Sequence, residues 1–138
     1  MAEDGKTMKI TTITMTKEGG SQFGTMIIPL SSPEGAIGTL SPLLPTKNGI
    51  FFRETPGDYN FSWHCAPRKQ FIINLDAAVQ VEVTDGTKKV LEAGEVFFVE
   101  DIEGTGHYSS SVGGKTRRSV FIPVDDDELE KIVIKKTP

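Results

Sequence analysis

VQVEVTDGTKKVLEAGEVFFVE, residues 79 to 100, decides the class of fold. Val79, Val81 and Val83 alternate with Gln80, Glu82 and Thr84. Successive side chains of an extended chain point to opposite faces, so this pattern predicts a strand with one face buried. Asp85-Gly86 is a two-residue hairpin signal, and Lys88 to Leu91 is expected to return beside the first strand. After a second turn, Glu92-Ala93-Gly94, the run Glu95 to Val99 is almost wholly apolar and suits a strand covered on both sides, with Phe97 and Phe98 divided between them.

Working outward, Ser119 to Ile122 reads in the same way, and Pro123 ends it by removing a ladder donor. Upstream, Lys9 to Met15 and Phe23 to Ile28 also read as strands. Gly (14) and Pro (8) punctuate short segments, and no helical periodicity is sustained before the last dozen residues, which is the pattern of an all-β fold. Leu30 to Asn48, rich in Ser, Pro and Gly, is expected to be a long loop crossing the end of a barrel, and a loop of that length is either functional or poorly ordered; whether it closes over a pocket is not set by the sequence. At the C-terminus, Asp125 to Glu128 places negative charge at a helix start and Lys135-Lys136 places positive charge near its end. A short helix with Leu129, Ile132 and Val133 on one face is expected there, covering a sheet edge.

Composition sets the remaining bounds. A chain of 138 residues is expected to form one domain over 1–138 and to bury roughly two-thirds of its unfolded surface. The formal net charge is −4, and the basic residues are scattered apart from the pairs Lys88/Lys89, Arg117/Arg118 and Lys135/Lys136, read as solvated faces. Nothing in this favours nucleic acid or an anionic membrane as a partner. The N-terminal stretch lacks the pattern of a secretory signal, no apolar run reaches the ~20 residues of a membrane span, and the single cysteine, Cys65, fits a reducing compartment. The expected location is cytoplasmic, which leaves the sequon Asn60-Phe61-Ser62 idle.

The chemistry concentrates in WHCAPRKQ, residues 63 to 70, and VEDIEGTGH, residues 99 to 107, which hold the two histidines of the chain. From His64 the spacing runs through Ala66 to Gln70 and Ala77, with Gly57 upstream. Gly94 is followed by five residues, a glycine-containing turn and His107, with Ser111 beyond. This frame resembles the two motifs of the cupin superfamily, and the region 57–111 is similar to small single-domain cupins that carry Trp-His-x-Ala-Pro-x-x-Gln and Val-Glu-Asp-x-x-Gly-x-Gly-His stretches. The resemblance implies an all-β, double-stranded jelly-roll barrel, with N-terminal strands and a loop over 1–50 and a C-terminal strand and tail over 119–138.

It also implies a site. In metal-binding cupins, two histidines and a glutamate of the first motif and a histidine of the second converge inside the barrel. Carried over, His64 and His107 match two of the histidines, Gln70 stands in the glutamate's place, and Ala66 vacates the remaining histidine's position. The resemblance thus implies a divalent transition metal (Fe, Mn, Ni, Cu or Zn) held by His64, Gln70 and His107, weakly because no ligand is anionic. Without a metal, His64 or His107 could serve as general acid or base. A thiol dioxygenase is disfavoured, since that branch uses three histidines.

Around this trio, Arg68 shares a face with His64 and Gln70 if the chain stays extended, and could meet a carboxylate. Arg53 is a second anion candidate. Tyr59, Trp63, Phe97 and Tyr108 could wall a pocket. Cys65 reads as a small buried hydrophobe rather than a nucleophile, because it faces away from His64 on a strand. Asp101 and Glu103 flank the turn before His107, where carboxylates could complete a metal site or solvate a loop; the loop reading is favoured. The function expected first is a cupin that binds a small organic molecule, a carboxylate for instance, at a metal site and acts as a dioxygenase or isomerase. The alternative is a metal-free, non-catalytic cupin that binds a small ligand or a protein. The resemblance also leaves room for a homodimer paired through N-terminal strands.

Overall fold

The computed structural model describes residues 6–33, 37–133 and 135–137. In chain order the elements are β1 (Thr7–Met15), β2 (Ser21–Pro29), β3 (Ser32–Pro33), β4 (Thr39–Leu40), β5 (Phe51–Thr55), β6 (Asn60–His64) and β7 (Gln70–Asn74). There follow β8 (Val79–Glu82), β9 (Lys88–Leu91), β10 (Val96–Val99), β11 (His107–Ser111), β12 (Arg117–Pro123), α1 (Asp126–Leu129) and β13 (Lys135–Thr137). A seven-stranded sheet in the order β13-β2-β1-β10-β7-β12-β5 faces a four-stranded sheet in the order β6-β11-β8-β9. The chain forms a double-stranded jelly roll, the fold implied by the cupin resemblance.

Alternation along the strands divides the core in two. Ile13, Ile72, Val79, Val81, Phe97, Val99 and Phe121 pack between the sheets. Ile10, Met26, Ile28, Phe71, Phe98 and Val124 pack on the outer face of the larger sheet beneath Leu129, with Leu44 and Val133 against them. Phe97 and Phe98 therefore separate as neighbours on a strand must, and the apolar run of β10 is explained by burial on both faces.

Three local expectations are corrected. The hairpin between β8 and β9 has a three-residue loop, not two. Val83 N–H donates to Thr87 O at 3.0 Å and Gly86 N–H to Val83 O at 3.0 Å, with Gly86 at φ 91°, a turn followed by a left-handed glycine. Asp85 Oδ1 accepts from Thr87 N–H at 2.8 Å, and this local bond selects the longer loop. Where the structure describes it, the segment 30–48 does not cross the end of the barrel or line the cavity. Its described part forms the small β3–β4 pairing and then follows the outer face, where Lys47 N–H donates to Pro123 O at 3.0 Å and Asp125 N–H to Pro45 O at 3.3 Å; burial of Leu44 draws it there. Finally, Lys135 and Lys136 belong to β13, not to a helix end. This strand covers the edge of β2 through Lys136↔Met26, and Lys136 Nζ reaches Glu100 at 2.6 Å and Glu130 at 3.0 Å. Helix α1 is a single turn, and β1 lies inside the sheet rather than at an edge. Among the described residues, no helix is long and apolar enough to cross a membrane.

Candidate functional site

The sheets enclose a cavity of about 570 Å³. At one end the chain passes from the smaller sheet to the larger through residues 65–69, so His64 ends β6 and Gln70 begins β7. His64, Ala66, Arg68 and Gln70 all line the cavity, because the segment wraps its end rather than because one strand runs through it. The turn after β10 brings His107 to the same place. Gly106, at φ 76°, lies so close to the His64 carbonyl that a Cβ would overlap it.

Two histidines 43 residues apart thereby become cross-strand partners, His107↔His64. Their ring centroids are 4.6 Å apart, and His64 stacks on Phe61 at 3.9 Å with the planes 8° apart. His64 Nδ1 lies 2.8 Å from Ser62 O. A carbonyl only accepts, so Nδ1 carries the hydrogen and Nε2 keeps a free lone pair. His107 Nδ1 lies 2.5 Å from Asp101 Oδ2, and the same reasoning gives it the same tautomer. Removal from water is the main cause that pushes the His64 pKa below its usual value.

Asp101 overturns the loop reading. It is 0% exposed, and its Oδ1 has no hydrogen-bond partner, whereas Glu103 is exposed as expected. The spacing Asp-x₅-His was the available signal, but burial of that carboxylate depends on how the turn docks against β6. Cys65 is half-buried rather than buried; its thiol points to Gly104 O at 3.1 Å and not to His64.

Arg68, at the exposed rim, donates to Gln70 Oε1 at 3.4 Å and lies 5.0 Å from the Phe51 ring. Arg53 covers Phe121 at 4.3 Å. Phe51, Phe52 and Phe61, all exposed, mark the mouth. Tyr59 also lines the cavity, its hydroxyl 2.6 Å from Ser109 Oγ. Trp63 and Tyr108, each adjacent to a histidine, lie on the opposite sheet face, where their rings meet edge to face at 6.0 Å. They are not among the residues that line the cavity, contrary to expectation.

The other end of the cavity went unread in the sequence. Arg117 is 2% exposed, while its neighbour Arg118 faces solvent and pairs with Asp76 at 2.6 Å. The pair is thus split by strand alternation rather than forming one solvated face. Arg117 donates to Ala78 O at 3.4 Å and lies 5.4 Å from the Tyr59 ring; among the described residues no carboxylate pairs with it. Its burial lowers its pKa. Beside it, Ser119 Oγ donates to Asn74 Oδ1 at 2.8 Å, leaving buried Asn74 Nδ2 without a partner. Such an orphan costs about 1–3 kcal/mol.

Does this lining fit a divalent metal? Both rings are oriented by a second hydrogen bond, as metal-ligating imidazoles are. The rest of the donor set is against it: Gln70 Oε1 faces a guanidinium, the cavity is lined by three arginines, and among the described residues no Asp or Glu lines it. Among the described residues no three His, Cys, Asp or Glu side chains come together to hold an ion. With two neutral imidazoles and an amide as donors and arginine cations beside them, these residues do not fit a resident divalent cation.

No protein-family model matches the chain, and no curated protein matches it. Solved structures similar to it include a protein of Neisseria meningitidis, 17% identical over 70% of this chain and 92% of that one, with a TM-score of 0.44. A putative ethanolamine utilization protein from Salmonella typhimurium is 13% identical over 87% and 98%, with a TM-score of 0.42. The polyketide cyclase RemF from Streptomyces resistomycificus is 17% identical over 98% and 78%, with a TM-score of 0.42.

Proposed function

We propose that the barrel binds a small organic anion and that His64 and His107 exchange a proton with it, without a resident metal. The observation that carries this reading is the charge of the lining: three guanidinium groups and two imidazoles, with no carboxylate facing the cavity among the described residues. An apolar wall with a few convergent polar groups is the usual build of a ligand site, and arginine suits carboxylate recognition through its paired donors.

His107 is the proton acceptor. Its Nε2 is free, and a proton taken there leaves an imidazolium whose Nδ1–H still faces the Asp101 carboxylate, a charge-assisted pair. His64, held neutral by desolvation, offers a second Nε2 lone pair 43 residues away in sequence but adjacent in space. Of the reaction classes that the cupin resemblance implies, isomerisation by proton transfer needs only these groups.

The test is deuterium exchange. A panel of small keto acids is incubated with chelator-treated protein in D₂O and read by NMR. The expected result is uptake of deuterium beside the carbonyl of at least one acid, lost in His107→Gln. Exchange that appears only after a metal is added, or none with any acid, would overturn the reading.

A further inference from the structure

The cavity has two polar ends, and only one of them holds the histidines. On β7, Gln70 and Asn74 point inward four residues apart, so about 13 Å separates the ends along the strand. Ile72, between them, and Phe97 and Phe121 of the neighbouring strands make the middle apolar.

At the far end, three polar side chains are buried with too few partners. Arg117 has one long hydrogen bond to a carbonyl and, among the described residues, no carboxylate partner. Asn74, 1% exposed, has its Nδ2 unpaired. Thr55, opposite Arg117 in the strand register, has its Oγ1 unpaired. A buried cation with one long hydrogen bond and a buried amide donor with none, both lining the cavity, form a receptor for an anion. Of the other two arginines of the lining, Arg68 is exposed at the rim, and Arg53, opposite Ser119 on the edge strand, covers Phe121 and is exposed along much of its length.

The structure assigns to Arg117 and Asn74 a carboxylate-binding subsite at the far end of the cavity. The inference rests on the proposed anion binding and deepens it. The substrate is an elongated carboxylate, its acid group held by Arg117 and Asn74, its apolar body along Ile72, Phe97 and Phe121, and its reacting carbon at the histidine end. Arg117 and Asn74 are positioning and specificity residues for that substrate.

The experiment compares 4-phenylbutanoate with the neutral 4-phenylbutanamide by calorimetry, and follows the Asn74 side-chain amide and Arg117 Nε–H signals of the wild-type protein by NMR. The carboxylate is expected to bind about tenfold or more tighter than the amide, with both signals shifting on binding. Asn74→Asp, which keeps the acceptor for Ser119 and replaces the orphan donor with negative charge, is expected to abolish that preference. Arg68→Met is expected to retain it. Carboxylate preference that persists in Asn74→Asp, disappears in Arg68→Met and leaves the Asn74 and Arg117 signals unmoved would overturn the subsite while preserving the anion site at the mouth. Equal affinity for acid and amide in wild type would overturn both. If Asn74→Asp does not fold, the wild-type NMR shifts decide alone, because a probe seated at the mouth would not move them.

Discussion

Replacing Asp101 by Asn tests the histidine pair at one atom. In the wild-type protein Oδ2 accepts from His107 Nδ1–H at 2.5 Å while Oδ1, equally buried, has no partner. An amide at this position has two orientations. If its oxygen faces His107, the ring tautomer is kept, but an NH₂ with two donors is buried where Oδ1 stood, at a cost of about 1–3 kcal/mol. If its nitrogen faces His107, one N–H is paired, the oxygen stands where Oδ1 stood and one donor rather than two is left unpaired, and the ring must accept at Nδ1 and move its hydrogen to Nε2. The second arrangement wins. A charge-assisted hydrogen bond contributes about 1.5–3 kcal/mol and a neutral one about 0.5–1.5, so the variant loses roughly 1 kcal/mol of stability. At roughly 2.1 cal/mol/K per residue over 138 residues, Tm falls by about 3–4 °C. The larger effect is on function, since Nε2 then carries a hydrogen and can no longer accept one; loss of a general base costs about 10²–10⁴ in rate. Long-range ¹H–¹⁵N NMR of the imidazoles reads the tautomer directly. His107 still protonated on Nδ1 in Asp101→Asn, or proton exchange at the wild-type rate, would refute the reasoning.

The depressed pKa of His64 means that the unfolded chain binds the proton first as pH falls. Its contribution to stability is therefore full above the ordinary imidazole value near 6.5 and is lost as pH drops below that value towards the folded pKa. Urea midpoints between pH 5 and 8 should show this dependence weakened in His64→Gln, and an unchanged profile would contradict it. Elemental analysis of untagged, chelator-free protein should find Fe, Mn, Ni, Cu and Zn well below one equivalent; near-stoichiometric metal that vanishes in both His64→Ala and His107→Ala would overturn the metal-free reading. Gly106→Ala forces a left-handed φ of 76° on a residue with a Cβ and drives that Cβ into the His64 carbonyl, so a loss of roughly 2–4 kcal/mol is expected. A wild-type urea midpoint would show that the turn is not docked as described.

Strand identity was legible because it is a local property. The alternation of Val79, Val81 and Val83, the doubly buried run of β10 and the proline at the end of β12 each follow from period and propensity over a few residues, and the structure keeps them. The histidine frame was legible as spacing, and His64 and His107 do meet. The arginine pair shows where local reading stops. Alternation requires Arg117 and Arg118 to face opposite ways, but nothing within β12 says which of them faces the cavity; pairing with β7 and β5 decides it.

What the sequence determined by itself is therefore the all-β class, the strands of the middle of the chain and the two segments that carry the histidines, all set by interactions between residues close in the chain. Tertiary structure alone decided that Asp101 is buried behind His107, that Trp63 and Tyr108 lie outside the cavity, that the described part of 30–48 follows the outer face, and that among the described residues no carboxylate lines the cavity. Each depends on which face of one sheet meets the other. Burial and charge balance are properties of that meeting, and the one-dimensional pattern does not contain it.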